Sequence, residues 1–164
     1  MTNYRIIERP AFTIAGKKTF ISGPDNEQFG QFWQQVRAEG LFDIFSRMNQ
    51  GVWGGPQTGA GMLGVSRVER DPANRAFDYM IAIEADAAQA EAAGLECYEV
   101  PATTWAVFEC HGQPPMSIVT AEMFAFMEWL PNSGYEHALA PEMEVYPASN
   151  GETYQEFWLP IKKK

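Results

Sequence analysis

At 164 residues, with 46% apolar and 13% aromatic content, the chain can bury a sizeable core and fits one domain or two small modules sharing that core. Its net charge is −9, and Lys and Arg are scattered apart from Lys162, Lys163 and Lys164, a balance that repels a phosphate backbone and argues against direct nucleic-acid binding. The N-terminal MTNYRIIERP lacks the basic and apolar regions of a signal peptide, and no apolar run reaches the length of a membrane span, so a cytoplasmic protein with no membrane contact is expected.

YRIIERPAFTIAGKKTFISG reads as two strands, and Gly23-Pro24-Asp25 then precedes a helix marked by Phe29, Phe32, Trp33 and Val36, with Asp25 or Asn26 as its N-cap. The helix runs into a glycine-rich loop, GVWGGPQTGAGMLG, in which Gly59, Gly61 and Gly64 satisfy G-x-G-x-x-G. A dinucleotide fingerprint needs a strand before it and a helix after it. Here a helix and loop precede it, a strand (Met62 to Val68) follows, and no Gly-Lys-Ser/Thr completes a phosphate loop. The segment is therefore a long loop carrying one apolar side chain, Trp53, which either folds over a cleft as a lid or plugs into the core.

Asp71-Pro72-Ala73-Asn74 turns the chain into the strand AFDYMIAIE, and the polar, Ala-rich stretch from Ala85 to Gly94 connects to a second set of elements, with room for a helical turn. LECYEVPATTWAVFECHG supplies two strands. Pro114-Pro115 opens a helix patterned by Ile118, Val119, Met123, Phe126, Met127 and Leu130, which closes at Leu130-Pro131-Asn132-Ser133-Gly134. MEVYP, a turn at Ala148-Ser149-Asn150-Gly151, and TYQEFWLPIK complete the chain. Cys97 and Cys110 lack C-x-x-C spacing and His111 lacks companion ligands, so both cysteines read as ordinary strand residues, with neither metal nor cofactor expected.

The two sets are one pattern written twice. Pro10-Ala11 aligns with Pro101-Ala102, Thr13 with Thr104, and Met62 with Met143, so the first half carries about ten extra residues between its helix and third strand. The expected fold is α+β: two pseudo-repeated strand-helix-strand-strand modules with antiparallel sheets, helices on one face and a ligand cleft on the other. One domain spans 1–164, with repeats at 1–84 and 95–164 and a connector at 85–94.

Strand alternation assigns faces. Met143 and Val145 form the apolar set that meets the helices, which sends Glu144 and Tyr146 to the cleft. Phe157, Leu159 and Ile161 send Glu156 and Trp158 the same way, and Ala106, Phe108 and Cys110 leave Trp105, Val107 and Glu109 outward. Two readings of Glu144 fit this pattern: a solvated strand glutamate, or a carboxylate among aromatic walls where an organic cation gains Coulomb and cation–π attraction. Trp105, Trp158 and Tyr146, each alone an ordinary packing residue, together favour a pocket.

Several ordered motifs resemble the gyrase-inhibitor-like (GyrI-like) small-molecule-binding family, which includes the effector-binding domains of AraC-type and MerR-type multidrug regulators. They are the Asp-Tyr pair of FDYMIAIE, the Gly-Leu-Glu before VPATTW, EWLPNSGYE, the Glu-x-Tyr of MEVYP, and FWLPIKKK. The resemblance implies repeated strand-helix-strand-strand modules around a cleft in which the Glu of Glu-x-Tyr, here Glu144, recognises cationic aromatic drugs beside Tyr146. The first strand already begins near residue 5, so the DNA-binding domain of such regulators is not expected and the protein reads as a stand-alone member.

The leading functional expectation is a binding module for cationic, amphipathic or aromatic small molecules, with Glu144 supplying charge, Trp105, Trp158, Tyr146 and Trp53 supplying stacking surfaces, and Glu156 at the rim. Some stand-alone members of the family are similar to hydrolases, and burial would tune Glu144 for general acid–base work on a strained or toxic small molecule. A third reading is inhibition of a protein partner such as gyrase through the acidic surface. Nucleophilic serine chemistry has little support, since His111 and His137 are the only histidines and no Ser sits in a nucleophile-elbow setting.

Overall fold

The computed structural model describes residues 2–48, 58, 61–147 and 152–164. Nine strands form one antiparallel sheet: β1 (Tyr4–Arg9), β2 (Phe12–Ile21), β3 (Gly61–Arg67), β4 (Phe77–Glu84), β5 (Glu96–Val100), β6 (Thr103–His111), β7 (Tyr135–His137), β8 (Glu142–Pro147) and β9 (Tyr154–Lys163). The helices are α1 (Glu27–Ala38), α2 (Leu41–Met48), α3 (Ala87–Ala93) and α4 (Met116–Phe124). A π-helical segment (Ala125–Trp129) and a last turn (Leu130–Asn132) continue α4. No described helix is long and apolar enough to cross a membrane.

The expected α+β class and antiparallel pairing hold, and the sheet order β1-β6-β9-β8-β3-β4-β2-β5 reads as the repeat about its middle. The central pair is β3 and β8, one from each half, followed outward by β4 and β9, then β2 and β6. The outermost strands are exchanged: β1 pairs with β6 of the second half, and β5 with β2 of the first. β7 lies off this order and pairs with the end of β9.

Three elements differ from the sequence expectation. Leu41–Met48, beyond the helical pattern marked by Phe29 to Val36 and read with it as one helix running into the loop, is a second helix, set off from α1 by Gly40 at φ +85°, a conformation that favours glycine. Its Leu41 and Phe45 are fully buried. The connector holds a seven-residue helix with a reciprocal capping box, Asp86 accepting from the Gln89 amide and the Gln89 side chain accepting from the Asp86 amide, and it ends at Gly94 in the left-handed region. Tyr135–His137, which follows the helix-closing Leu130-Pro131-Asn132-Ser133-Gly134, adds β7.

The core lies on both faces of the sheet. On the helix-bearing face, Phe32, Val36, Leu41 and Phe45 pack on Tyr79, Ile81 and Ile83, while Ile118, Ala121 and Ala125 pack on Phe108, Phe157 and Leu159. On the opposite face, Phe12, Ile14, Leu63, Val65, Met143 and Val145 join Trp105 and Trp158 in a cluster drawn from strands, with no side chain from the helices. The sheet coils around this cluster, as strongly twisted antiparallel sheets do.

This second core decides the one face assignment that changes. Residues paired directly across antiparallel strands share a face. Met143 pairs with Trp158, and Glu144 with Phe157. Phe157 meets the helices as expected, so Glu144 and Tyr146 lie on the helix-bearing face, and Met143 and Val145 belong with the tryptophans. With both faces buried, apolar alternation separates the two sets without saying which one the helices cover.

Candidate functional site

The site is built on the central strand pair. Glu144, in the middle of β8, stands opposite Gly64 of β3. A Cβ at position 64 would lie 2.6 Å from Glu144 Oε1 and closer still to Tyr79 Oη, so glycine is what admits these groups to one spot. Two of the three glycines of the nucleotide-like spacing, Gly61 and Gly64, thus lie within a strand, and Gly59 lies outside the described residues.

Tyr79 of β4 and Tyr146 of β8 each donate a hydroxyl hydrogen bond to Glu144 Oε1, both at 2.9 Å. Tyr79 Oη in turn accepts from Trp33 Nε1 of α1 at 3.0 Å. The Trp33 ring meets Tyr146 nearly edge-on, with centroids 5.2 Å apart at 71°, and Phe42 of α2 lies beyond it at 6.1 Å. Phe29 backs Tyr79 edge-on at 4.9 Å. Both hydroxyls converge on Oε1, which leaves Oε2 without a hydrogen-bonding partner among the described residues. Aromatic rings from α1, β4 and β8, with Phe42 of α2 behind Trp33, therefore surround a half-buried carboxyl group.

A second carboxylate lies beside it with different surroundings. Glu142 is buried and accepts both guanidinium arms of Arg75 at 3.0 Å, while His137 Nε2 lies 2.9 Å from its Oε2. Burial opposes ionisation of Glu142, but the hydrogen bonds from His137 and Arg75 outweigh it and hold the carboxyl below the usual range. At Glu144 burial wins: it pushes the carboxyl up, and the hydroxyls of Tyr146 and Tyr79 offset only part of that push. Burial also pushes the Tyr79 and Tyr146 hydroxyls well above the ordinary tyrosine range, so both stay protonated donors.

A third carboxylate, Glu122 of α4, shares the electrostatic field of this group. Burial first, then the negative charges of Glu144 and Glu142, push it up to about 8, against the pull of Arg75. Among the described residues no group hydrogen-bonds or ion-pairs with it.

The residues expected from the sequence divide sharply. Glu144 and Tyr146 come together. Trp105 and Trp158 pack against each other on the opposite face, centroids 5.6 Å apart, and are 0% and 2% exposed. Glu156 is also there, fully engaged by Trp158 Nε1 at 3.0 Å, Tyr154 Oη at 2.8 Å and Arg5 at 3.1 Å. These three residues build the fold and do not face Glu144. Trp53 lies outside the described residues.

Sequence reading missed Tyr79, Trp33 and Glu122 as site residues. Tyr79 was visible as the Tyr of the Asp-Tyr motif, and Trp33 was absorbed into an apolar helical pattern. Glu122 carried a signal of its own, an acid between Ile118 and Phe126 on a row of i, i+4 neighbours. Cys97 and Cys110 are unpaired strand residues, and burial pushes the Cys110 thiol up to about 12. The described residues contain no cluster of three metal-ligating side chains.

The sequence profile of the integron-associated effector-binding proteins, Cass2, matches residues 5–161. The fold is similar to that of SAV2435 bound to tetraphenylphosphonium, with a TM-score of 0.79, 22% identity, and coverage of 98% of this chain and 94% of that one. The EcmrR C-terminal domain gives a TM-score of 0.66 at 15% identity, covering 100% and 99%. A hydrolase from Listeria innocua gives 0.53 at 15% identity, covering 97% and 91%. No curated protein sequence matches. A profile match over nearly the whole length, on a fold shared with these structures, establishes that the chain belongs to the integron-associated effector-binding protein family.

Proposed function

We propose that the protein binds organic cations with an aromatic or amphipathic body in the crevice at Glu144, acting as a drug-binding module. The observation that carries this reading is the half-buried Glu144 carboxyl, with one oxygen held by two tyrosine hydroxyls and the other without a partner among the described residues, walled by Trp33 and Tyr146. A delocalised cation gains there from Coulomb attraction in a partly desolvated setting and from ring faces, about 0.5–2 kcal/mol per cation–π contact. Its arrival also favours the ionised form of a carboxyl that burial otherwise resists. Family membership and the tetraphenylphosphonium bound by SAV2435 support the ligand class. The proposed setting is cytoplasmic, with the small molecule rather than nucleic acid as partner, in keeping with the net charge of −9.

A second reading has one observation in its favour: the raised Glu144 carboxyl next to a hydroxyl relay suits proton transfer, and hydrolases share the fold. It differs in requiring product formation.

The test is calorimetric titration with tetraphenylphosphonium, which cannot be deprotonated, against the native protein and Glu144→Gln. Saturable binding that weakens at least tenfold in the variant, about 1.4 kcal/mol, is the expected result. Equal affinities refute the reading.

A further inference from the structure

Glu142 and Glu144 are two residues apart on β8, so their side chains leave the same face of the strand about 7 Å apart. Phe126 links their surroundings: its ring stacks on His137, which is hydrogen-bonded to Glu142, and also meets Phe157, the cross-strand partner of Glu144. Two carboxylates at that spacing, on one floor walled by rings, are what a linear diamine would bridge with an ammonium on each. The protein fills one of them itself. Arg75, on the connection between β3 and β4, reaches across from the first half and gives both guanidinium arms to Glu142 at 3.0 Å. Its Nη1 also donates to the Pro72 carbonyl of its own turn at 3.1 Å, and the guanidinium lies 5.4 Å from the Phe77 ring centroid and 5.9 Å from that of Phe126. Carboxylate and rings hold a cation here as they are read to do at Glu144, with the cation built into the chain.

We propose that Arg75 is a specificity-determining residue: by occupying Glu142 it closes the carboxylate next to Glu144, and so selects organic cations with a single positive centre over linear diamines. The inference rests on the cation-binding reading of Glu144. Glu142 is 4% exposed and already neutralised by a two-armed guanidinium pair, so it offers little attraction to a second ammonium. Taking its place means breaking two charge-assisted hydrogen bonds at a buried acid and drawing Arg75 off the Phe77 and Phe126 rings. An ammonium that reaches this end without displacing Arg75 is left beside a like charge. The half-exposed Arg75 is also a tie between the two halves of the sheet, but a tie alone would alter stability on its removal and leave the ratio of diamine to monoamine affinity where it is.

The experiment compares para-methylbenzylamine with para-xylylenediamine, which share a ring and differ by one ammonium group, by calorimetry at neutral pH. Native protein, Arg75→Gln, the double variant Arg75→Gln/Glu142→Gln, and Glu144→Gln are titrated, each checked for folding by its melting curve. The native protein is expected to hold the two amines with affinities within about threefold of each other. Arg75→Gln, which frees Glu142, is expected to prefer the diamine at least tenfold, and the double variant, which removes the freed charge, to lose that preference. No diamine preference in Arg75→Gln, a tenfold preference already present in the native protein, or one that persists in the double variant overturns the role given to Arg75. The native comparison needs no substitution, so the inference stays refutable where Arg75→Gln does not fold. Monoamine affinity unaffected by Glu144→Gln overturns the underlying cation reading instead, and the two failures are read from different variants.

Discussion

Replacing Gly64 with alanine perturbs the site through a single methyl group. The added Cβ would sit 2.6 Å from Glu144 Oε1, 3.1 Å from Tyr79 Cζ and closer still to Tyr79 Oη, whereas ordinary contacts begin at 3.4 Å. Tyr79 cannot retreat freely, because it is fully buried, packed on Phe29 and hydrogen-bonded by Trp33. Relief of the contact with Glu144 alone requires a shift of about 0.8 Å, enough to stretch a 2.9 Å hydrogen bond beyond bonding distance. Overpacking costs about 1–3 kcal/mol and a hydrogen bond to a charged group about 1.5–3, so a destabilisation of about 3 kcal/mol is expected. Urea unfolding measures it. Gly30→Ala is the control, since nothing lies within 4 Å of a Cβ there and the position is inside α1; it should stabilise by about 0.5–1 kcal/mol. Tyr79→Phe removes the closest atom, so Gly64→Ala should cost less in that background. Gly64→Ala as stable as the native protein, or costs that simply add in the double variant, would refute the reasoning.

Two further predictions separate the groups described above. Glu122 is raised on folding, so the folded state holds a proton that the unfolded chain gives up, and the linked penalty grows as pH rises from the ordinary carboxylate range to about 8. Glu122→Gln should therefore be more stable than the native protein at pH 9, by on the order of a few kcal/mol, with the advantage shrinking toward pH 4.5; denaturant melts at both pH values check this. Trp105→Phe should lower stability while leaving cation affinity unchanged, because Trp105 is buried on the face away from Glu144, whereas Trp33→Phe should weaken tetraphenylphosphonium binding by removing the ring beside Tyr146.

The sequence alone made the duplicated pattern legible because both halves repeat strand punctuation: Pro10-Ala11 and Pro101-Ala102 mark the same turn. It also singled out Glu144 and Tyr146. It placed them on the wrong face because period-two alternation carries no sign when both faces are buried; only the pairing of Glu144 with Phe157 supplies one. The same ambiguity made Trp105 and Trp158 look like cleft walls. Helix α2 escaped because its eight residues end in a glycine-rich stretch that dominates local reading, although Leu41 and Phe45 carry helical spacing. Tyr79 and Trp33 reach Glu144 from β4 and α1, and the contacts between these distant segments exist only once the sheet is assembled.

The exchange of outer strands has a mechanical consequence for any ligand that enters. The two halves are joined by three hydrogen-bonded ladders, β3 with β8 at the centre, β1 with β6 near one edge and β2 with β5 at the other. Levering the halves apart to admit a larger guest would strain all three together, including those far from the crevice. The sheet is thus a stiff floor, bolted at its middle and at both margins, and accommodation of guests of different girth falls to the helices and rings standing on it.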